Sequence, residues 1–387
     1  MVPPPTDPRL AVQPVHWLPD DDPAAPVQGT GLCLSGGGYR AMLFHVGTLW
    51  RLNDAALLGK LDRVSSVSGG SITAATLALA WPDLAFGPDG RAADFAERVV
   101  APVRGLAGET LDVASALDGM LPFGETVGEH LSGAYREHLF GDATLQSLPD
   151  APRFVINATN LDSGELFRFT KTEMADWRVG TVAAPRVLLG DAVAASSAFP
   201  PVLSPFMLDL RDADWEGEPG NDLGTPEHRG ELTLSDGGVY DNMGLETVWK
   251  RCATVLVSDA GGHLADDPDT AHDWARLTLR VLHVIDNQVR SLRKRQAISS
   301  FADGQRKGAY WGIRSHVTDY GLADPLDCPP EATERLADVA TRLSKTPPEL
   351  QEQLVNWGYA ACDTALRAHV DPALPRGTFP YPGRGVG

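Results

Sequence analysis

Three short segments of the chain carry residue types able to do chemistry. The first is Val64-Ser65-Ser66-Val67-Ser68-Gly69-Gly70-Ser71, where a β-prone run breaks at a serine and a helical pattern, Ile72 to Trp81, follows two glycines. A serine on a tight strand-to-helix turn has its hydroxyl pushed clear of the backbone, and a glycine two positions on lets the helix pass close behind it. That arrangement suits nucleophilic attack on an acyl group. Four serines compete for the role. Ser65 and Ser66 fall inside the strand, and Ser71, with Thr73 two residues on, suits an N-cap. Only Ser68 has glycine at the second following position and sits where the strand pattern breaks. Ser66 stands where the usual G-x-S-x-G has its first glycine, a change to another small residue.

The second segment is Ser35-Gly36-Gly37-Gly38-Tyr39-Arg40-Ala41, between a strand and a helix. Gly36-x-Gly38-x-x-Ala41 satisfies a loose dinucleotide-binding pattern, but that reading needs an acidic residue at the end of the next strand. The next strand ends in Ser68-Gly69-Gly70 instead. Read as an oxyanion hole, consecutive glycines at a helix N-terminus leave backbone N–H groups unobstructed and aimed at an anion such as a tetrahedral intermediate. The third segment is Ser235-Asp236-Gly237-Gly238-Val239-Tyr240-Asp241-Asn242. Asp-Gly is a strong hairpin signal, yet Asp236 ends an apolar strand, and ligands gather at strand ends in α/β sheets. Asp241 and Asn242 read as helix caps.

Around these segments the pattern alternates between strand and helix. Strands are expected at Gly31–Ser35, Val64–Val67, Arg153–Asn157, Leu166–Thr170, Phe206–Leu210, Glu231–Ser235 and Thr254–Ser258. Helices are expected over Tyr39–Ala56, after the serine turn, and from Leu245. Asp162-Ser163-Gly164 reads as a hairpin turn. Such alternation predicts a largely parallel sheet covered on both faces. Residues 1–28 read as an irregular Pro/Asp-rich arm, 29–265 as the catalytic domain, and 266–387 as a mainly helical region packed on it. Within the catalytic domain, 83–150 has the character of a cap and 211–230 that of a flexible acidic loop.

Composition narrows the partners. Net charge is −18, from 33 basic and 51 acidic residues, which opposes nucleic acid and unassisted adsorption to anionic membranes. No apolar run approaches a membrane span, and the start lacks the features of a signal peptide, so a cytoplasmic location is the expectation, with peripheral contact at membranes. Cys33, Cys252, Cys328 and Cys362 are far apart and form no CxxC pair, so buried reduced thiols are expected, and no metal or cofactor. The sequon Asn157-Ala158-Thr159 falls within an expected strand.

Taken together, a glycine triplet followed by arginine, a serine elbow one βα unit later and a distant Asp-Gly-Gly resemble the patatin-like phospholipase family. The resemblance runs from about Gly31 to Gly262 and includes Asn157-Ala-Thr-Asn160 and Ala194-Ala-Ser-Ser-Ala-Phe-Pro200. It implies an α/β three-layer sandwich and a serine–aspartate dyad that hydrolyses phospholipid or other lipid esters without a cofactor. Ser68 is then the nucleophile and Asp236 its partner. Gly36, Gly37, Gly38 and Gly69 form the oxyanion and substrate-binding set, with Arg40 stabilising the glycine loop. The alternative is a catalytically silent lipid-binding or regulatory protein on the same fold. His45 is expected to pack or reach a carbonyl, whereas His263, after Gly261-Gly262, has the better position for a site role.

From His272 to Ile298 the pattern is amphipathic. Trp274, Leu277, Val281, Ile285, Val289 and Leu292 form one apolar stripe, expected to be buried, and Arg276, Arg280, His283, Asn287, Arg290 and Lys294 a polar one. The basic residues around Arg290, Arg293 and Lys294 read as a solvated or internally paired face, with contact to lipid phosphates as the sharper alternative.

Overall fold

The computed structural model describes residues 28–111, 126–217 and 221–387. The expected N-terminal arm lies outside the described residues apart from its last position. Strand β1 (Thr30–Leu34) enters the glycine turn and helix α1 (Gly38–Asp54); β2 (Arg63–Ser66) enters the serine turn and α2 (Gly69–Ala80). Helices α3 (Ala101–Ala107) and α4 (Val127–Tyr135) precede β3 (Arg153–Asn160), β4 (Glu165–Phe169), β5 (Glu173–Asp176) and β6 (Gly180–Ala183). Helix α5 (Leu189–Ser196), β7 (Phe206–Asp209), β8 (Trp215–Glu216), β9 (Glu231–Asp236) and β10 (Thr254–Asp259) follow. The long α6 (Trp274–Ala302), β11 (Lys307–Gly312), α7 (Pro330–Ala337) and α8 (Pro348–His369) complete the chain.

The site-bearing part of the sheet is parallel, in the order β11-β10-β1-β2-β3, and an antiparallel wing β4-β5-β6-β8 extends it. Side chains alternate across these strands. Leu32 and Leu34 of β1 enter the main core under α1 and α2, whereas Cys33 joins Val255 and Val257 of β10 in a second core on the opposite face. Helices therefore cover both faces, and the three-layer α/β sandwich follows from apolar residues on both sides of each strand. All four cysteines are free and buried.

One feature of β3 brings distant segments together. Its residues 153–156 pair with β2 running parallel, and its residues 158–160 pair with β9 running antiparallel. On the other edge, Ile156 and Ala158 both pair with β4, so β2 and β9 lie end to end along a single edge of β3. Their chain directions oppose. Hence the residue leaving β2 and the residue ending β9 meet over Asn157.

The C-terminal region is more than a helical cover. It supplies β11 to the sheet, and α8 packs on α1 with backbones nearly touching. A Cβ at Gly47 would lie 1.9 Å from the Val355 carbonyl oxygen, and one at Gly358 would lie 1.8 Å from that of Phe44. Between the same two helices Arg51 and Asp363 form a fully buried ion pair at 2.7 Å. Of the segment expected as an acidic loop, Trp215–Glu216 pairs with β6 and Pro226–Arg229 forms a helical turn; residues 218–220 lie outside the described residues. In the segment expected as a cap, Phe95, Val99, Val103 and Leu131 enter the main core, and residues 112–125 are not described.

Helix α6 reverses its expected orientation. Trp274 is 83% exposed, and Leu277, Val281, Ile285 and Leu292 are also exposed. The polar stripe instead turns toward the protein, because Arg290, Arg293 and Lys294 find partners there. Arg290 contacts Asp259 at 3.3 Å, Arg293 contacts Glu246 at 2.5 Å, and the Lys294 ammonium lies 4.7 Å from the Tyr310 ring centre. Periodicity reported two faces but not which one would be buried.

Candidate active site

Ser68 occupies the turn between β2 and α2 with φ 52° and ψ −122°. Positive φ is costly for a residue with a Cβ and is retained only where surroundings impose it. Here they do. The Ser68 N–H donates to Ser196 Oγ at 3.0 Å, and Ser196 in turn donates to the Asn157 carbonyl at 2.7 Å. Gly70 lets α2 pass the end of β1, since a Cβ there would lie 2.4 Å from the Leu34 carbonyl oxygen.

The competing serines are engaged elsewhere. Ser65 donates to the Gly244 carbonyl at 2.6 Å, Ser66 donates to that of Val155 at 3.3 Å, and Ser71 bonds to Ser66 and Ser196. Ser71 is the third residue of α2, so it does not cap the helix; Ser68 itself stands at that position. Ser68 is the one serine of the segment that lines a cavity of about 440 Å³.

Asp236 lines the same cavity, ends β9 and is 2% exposed. Burial raises its pKa to about 7, against partial relief from the Gly238 N–H, which donates to Oδ1 at 2.6 Å, and from the Ser68 hydroxyl. A carboxylate poised near neutrality is a far better base than one at its ordinary value.

The glycine loop divides by function. The Gly36 N–H donates to the Asn242 carbonyl at 3.0 Å and is spent. Among the described residues the N–H groups of Gly37, Gly38 and Gly69 have no acceptor, and Gly37 and Gly38 line the cavity beside Ser68. Gly37 and Gly38 have φ of 143° and 61°, conformations that need glycine. Arg40 does not line the cavity. Its two terminal nitrogens donate to the carbonyls of Val339 (2.5 Å) and Ala260 (3.1 Å), which braces the loop against β10 and the C-terminal region. Burial lowers its pKa to about 10, so it remains a cation at neutral pH.

His45 is structural, donating from Nε2 to the Ser35 carbonyl at 2.9 Å and meeting Ser258 Oγ at the same distance from Nδ1. Burial holds its pKa down to about 4, so it stays neutral. His263 lines the cavity and, with His283, Asn287, Arg290 and Arg342, makes up part of its polar lining. Its apolar lining comes from Phe199, Pro200, Leu203, Leu264 and Leu343. Asn157, the sequon residue, is buried and donates to Ser65 and to the Ser66 carbonyl.

Sequence reasoning missed the residues that hold the site from afar. Ser196 anchors the strained serine, the Arg342 carbonyl accepts from the Tyr39 N–H at 2.9 Å, and Ser197 and Thr341 line the cavity. Ser196 lay inside a segment noted for its resemblance, but nothing local marked its hydroxyl as the anchor. Thr341 and Arg342 carry no sequence signal at all.

The family model for patatin-like phospholipase matches residues 32–249, more than half of the chain. The chain belongs to the patatin-like phospholipase family, and its mixed α/β fold fits that class. Among solved structures it is similar to human GIVD cytosolic phospholipase A2 in complex with methyl gamma-linolenyl fluorophosphonate. That match has 14% identity and a TM-score of 0.47, covering 92% of this chain and 60% of the other. It is also similar to VipD from Legionella pneumophila, at 14% identity and a TM-score of 0.36, covering 89% of this chain and 67% of the other. Another human GIVD cytosolic phospholipase A2 structure is covered over 50% of its length. The chain thus spans about half to two-thirds of these proteins. No curated protein matches the sequence significantly.

Proposed function

We propose that this protein is a lipid acyl hydrolase of the phospholipase A or lysophospholipase type, working through a Ser68–Asp236 dyad without a cofactor. The observation that carries the reading is the pairing of a strained, cavity-lining serine with a buried aspartate whose pKa is about 7. The apolar residues lining the cavity suit an acyl chain and its polar residues the rest of a lipid ester.

In this mechanism Ser68 Oγ attacks the ester carbonyl carbon as its proton passes to Asp236. The carbonyl π pair moves onto oxygen, where the N–H groups of Gly37, Gly38 and Gly69 stabilise the charge. Collapse breaks the bond to the alcohol oxygen, which takes the proton from Asp236. Water then attacks the acyl-serine, Asp236 accepts its proton, and the fatty acid leaves as that proton returns to Ser68.

The test is fluorophosphonate labelling and hydrolysis of a phospholipid panel by wild type and Ser68→Ala. Label on Ser68 and a loss of at least ~10³-fold in the variant are expected. Equal hydrolysis by the two proteins would overturn the mechanism, and an unlabelled, inactive wild type would favour a silent lipid-binding role.

A further inference from the structure

Of the thirteen exposed large apolar side chains among the described residues, eight lie on α6: Trp274, Leu277, Val281, Leu282, Val284, Ile285, Leu292 and Ile298. At 100° per residue, Trp274, Val281, Ile285 and Leu292 fall on one line along the helix. His283, Asp286, Asn287 and Arg290 fall on the opposite line and face the catalytic cavity. The helix is therefore inside out for a soluble protein, with its polar face inward and its apolar face outward. Its attachment is confined to the C-terminal half. Arg290 binds Asp259 and the Gly262 carbonyl, Arg293 binds Glu246, and Ala297 is buried, whereas between Trp274 and Val289 no described residue is buried.

We infer that the outward face of α6 is a docking surface for an anionic phospholipid bilayer, which would hold the Ser68 cavity next to the lipid. A soluble monomer rarely exposes so long an apolar stripe without an occupant, and an amphipathic helix lying in the bilayer interface is a match for it. Charge separates the candidates. In a chain of net charge −18, the single carboxylate of α6, Asp286, faces the cavity, and the cations left beside the stripe are Arg280 and Arg295, which make no ion pair among the described residues. Pairing two copies of this helix across a two-fold axis would set cation against cation, whereas an anionic surface complements it. Continuity with the cavity points the same way, because the helix that presents the stripe also lines the cavity, and Phe199, another lining residue, is 41% exposed. The assignment rests on the lipid-ester reading of that cavity and extends it to how the enzyme reaches insoluble substrate.

The test uses the full chain carrying Leu277→Ser, Val281→Ser and Ile285→Ser together, at exposed positions outside the cavity lining. The probe is a vesicle of equal phosphatidylcholine and phosphatidylglycerol. Co-sedimentation of wild type and a loss of at least tenfold in the triple variant are expected. Turnover of a soluble short-chain ester should stay within twofold of wild type while vesicle hydrolysis falls with binding. Equal vesicle binding by both proteins would overturn the inference. So would a wild type that ignores vesicles and sediments as a dimer that the triple variant dissociates. Sedimentation in the Ser68→Ala background keeps the two readings separable, because vesicle binding there depends on α6 whether or not Ser68 is the nucleophile.

Discussion

The proposed role of Asp236 as base draws on its burial, and the same burial makes it a liability for the fold. Its folded pKa of about 7 lies above the ordinary 3.8, so the unfolded chain gives up this proton first as pH rises. The associated stability is complete below pH ~4 and is lost progressively as pH climbs toward 7. Two outcomes follow. The kcat/KM for ester hydrolysis should rise with an apparent pKa near 7 and then level off, as measured across pH 5 to 9. Asp236→Asn keeps an oxygen that can accept from Gly238; it should be inactive yet more stable than wild type by up to about 4 kcal/mol at pH 8, with no gain near pH 3. Urea unfolding of both proteins at the two pH values checks the sign. Ser68 carries a backbone cost of its own, on the order of 1–3 kcal/mol for its positive φ, with its N–H bonded to Ser196.

The elements matter through how closely they approach. The serine turn and the glycine loop touch backbone to backbone: a Cβ on Gly69 would lie 2.2 Å from the Gly38 carbonyl oxygen. Since that neighbour is main chain and cannot rotate away, Gly69→Ala should push the serine turn and the oxyanion loop apart. The expected result is a fall in kcat of about 10²–10³-fold, the size of losing an oxyanion donor, with far-ultraviolet circular dichroism unchanged. The glycine triplet, the +2 glycine and the strand-ending aspartate were all legible beforehand because turn chemistry is local. Strands β5, β6, β8 and β11 were not, since short strands of mixed polarity depend on neighbours for their pairing.

For the molecule as a whole, the C-terminal region is part of the scaffold of the candidate site. Helix α8 presses on α1, whose N-terminus carries the oxyanion loop, and Thr341 and Arg342 complete the cavity. Gly358→Leu would place side-chain atoms inside the Phe44 backbone, a cost of about 3 kcal/mol or more. Against a typical total of about 5–15 kcal/mol, thermal unfolding should show a sharply lowered Tm, with activity lost in parallel. A normal Tm would mean that the two helices separate without consequence for the core.

Much about this protein is written in adjacent residues. Where a strand stops, where glycine permits a turn and which serine stands at the bend are properties of a few neighbouring side chains, so the dyad candidates and the family could be read from the chain. Other features depend on contacts between segments hundreds of residues apart. The end-to-end meeting of β2 and β9 on β3, the burial that brings Asp236 to about 7, and Arg40 as a brace arise only once the sheet is assembled. Helix α6 is the sharpest case. Its sequence dictates an apolar face and a polar face, but ion pairs with Asp259 and Glu246 turned the polar face inward and left the apolar one outside.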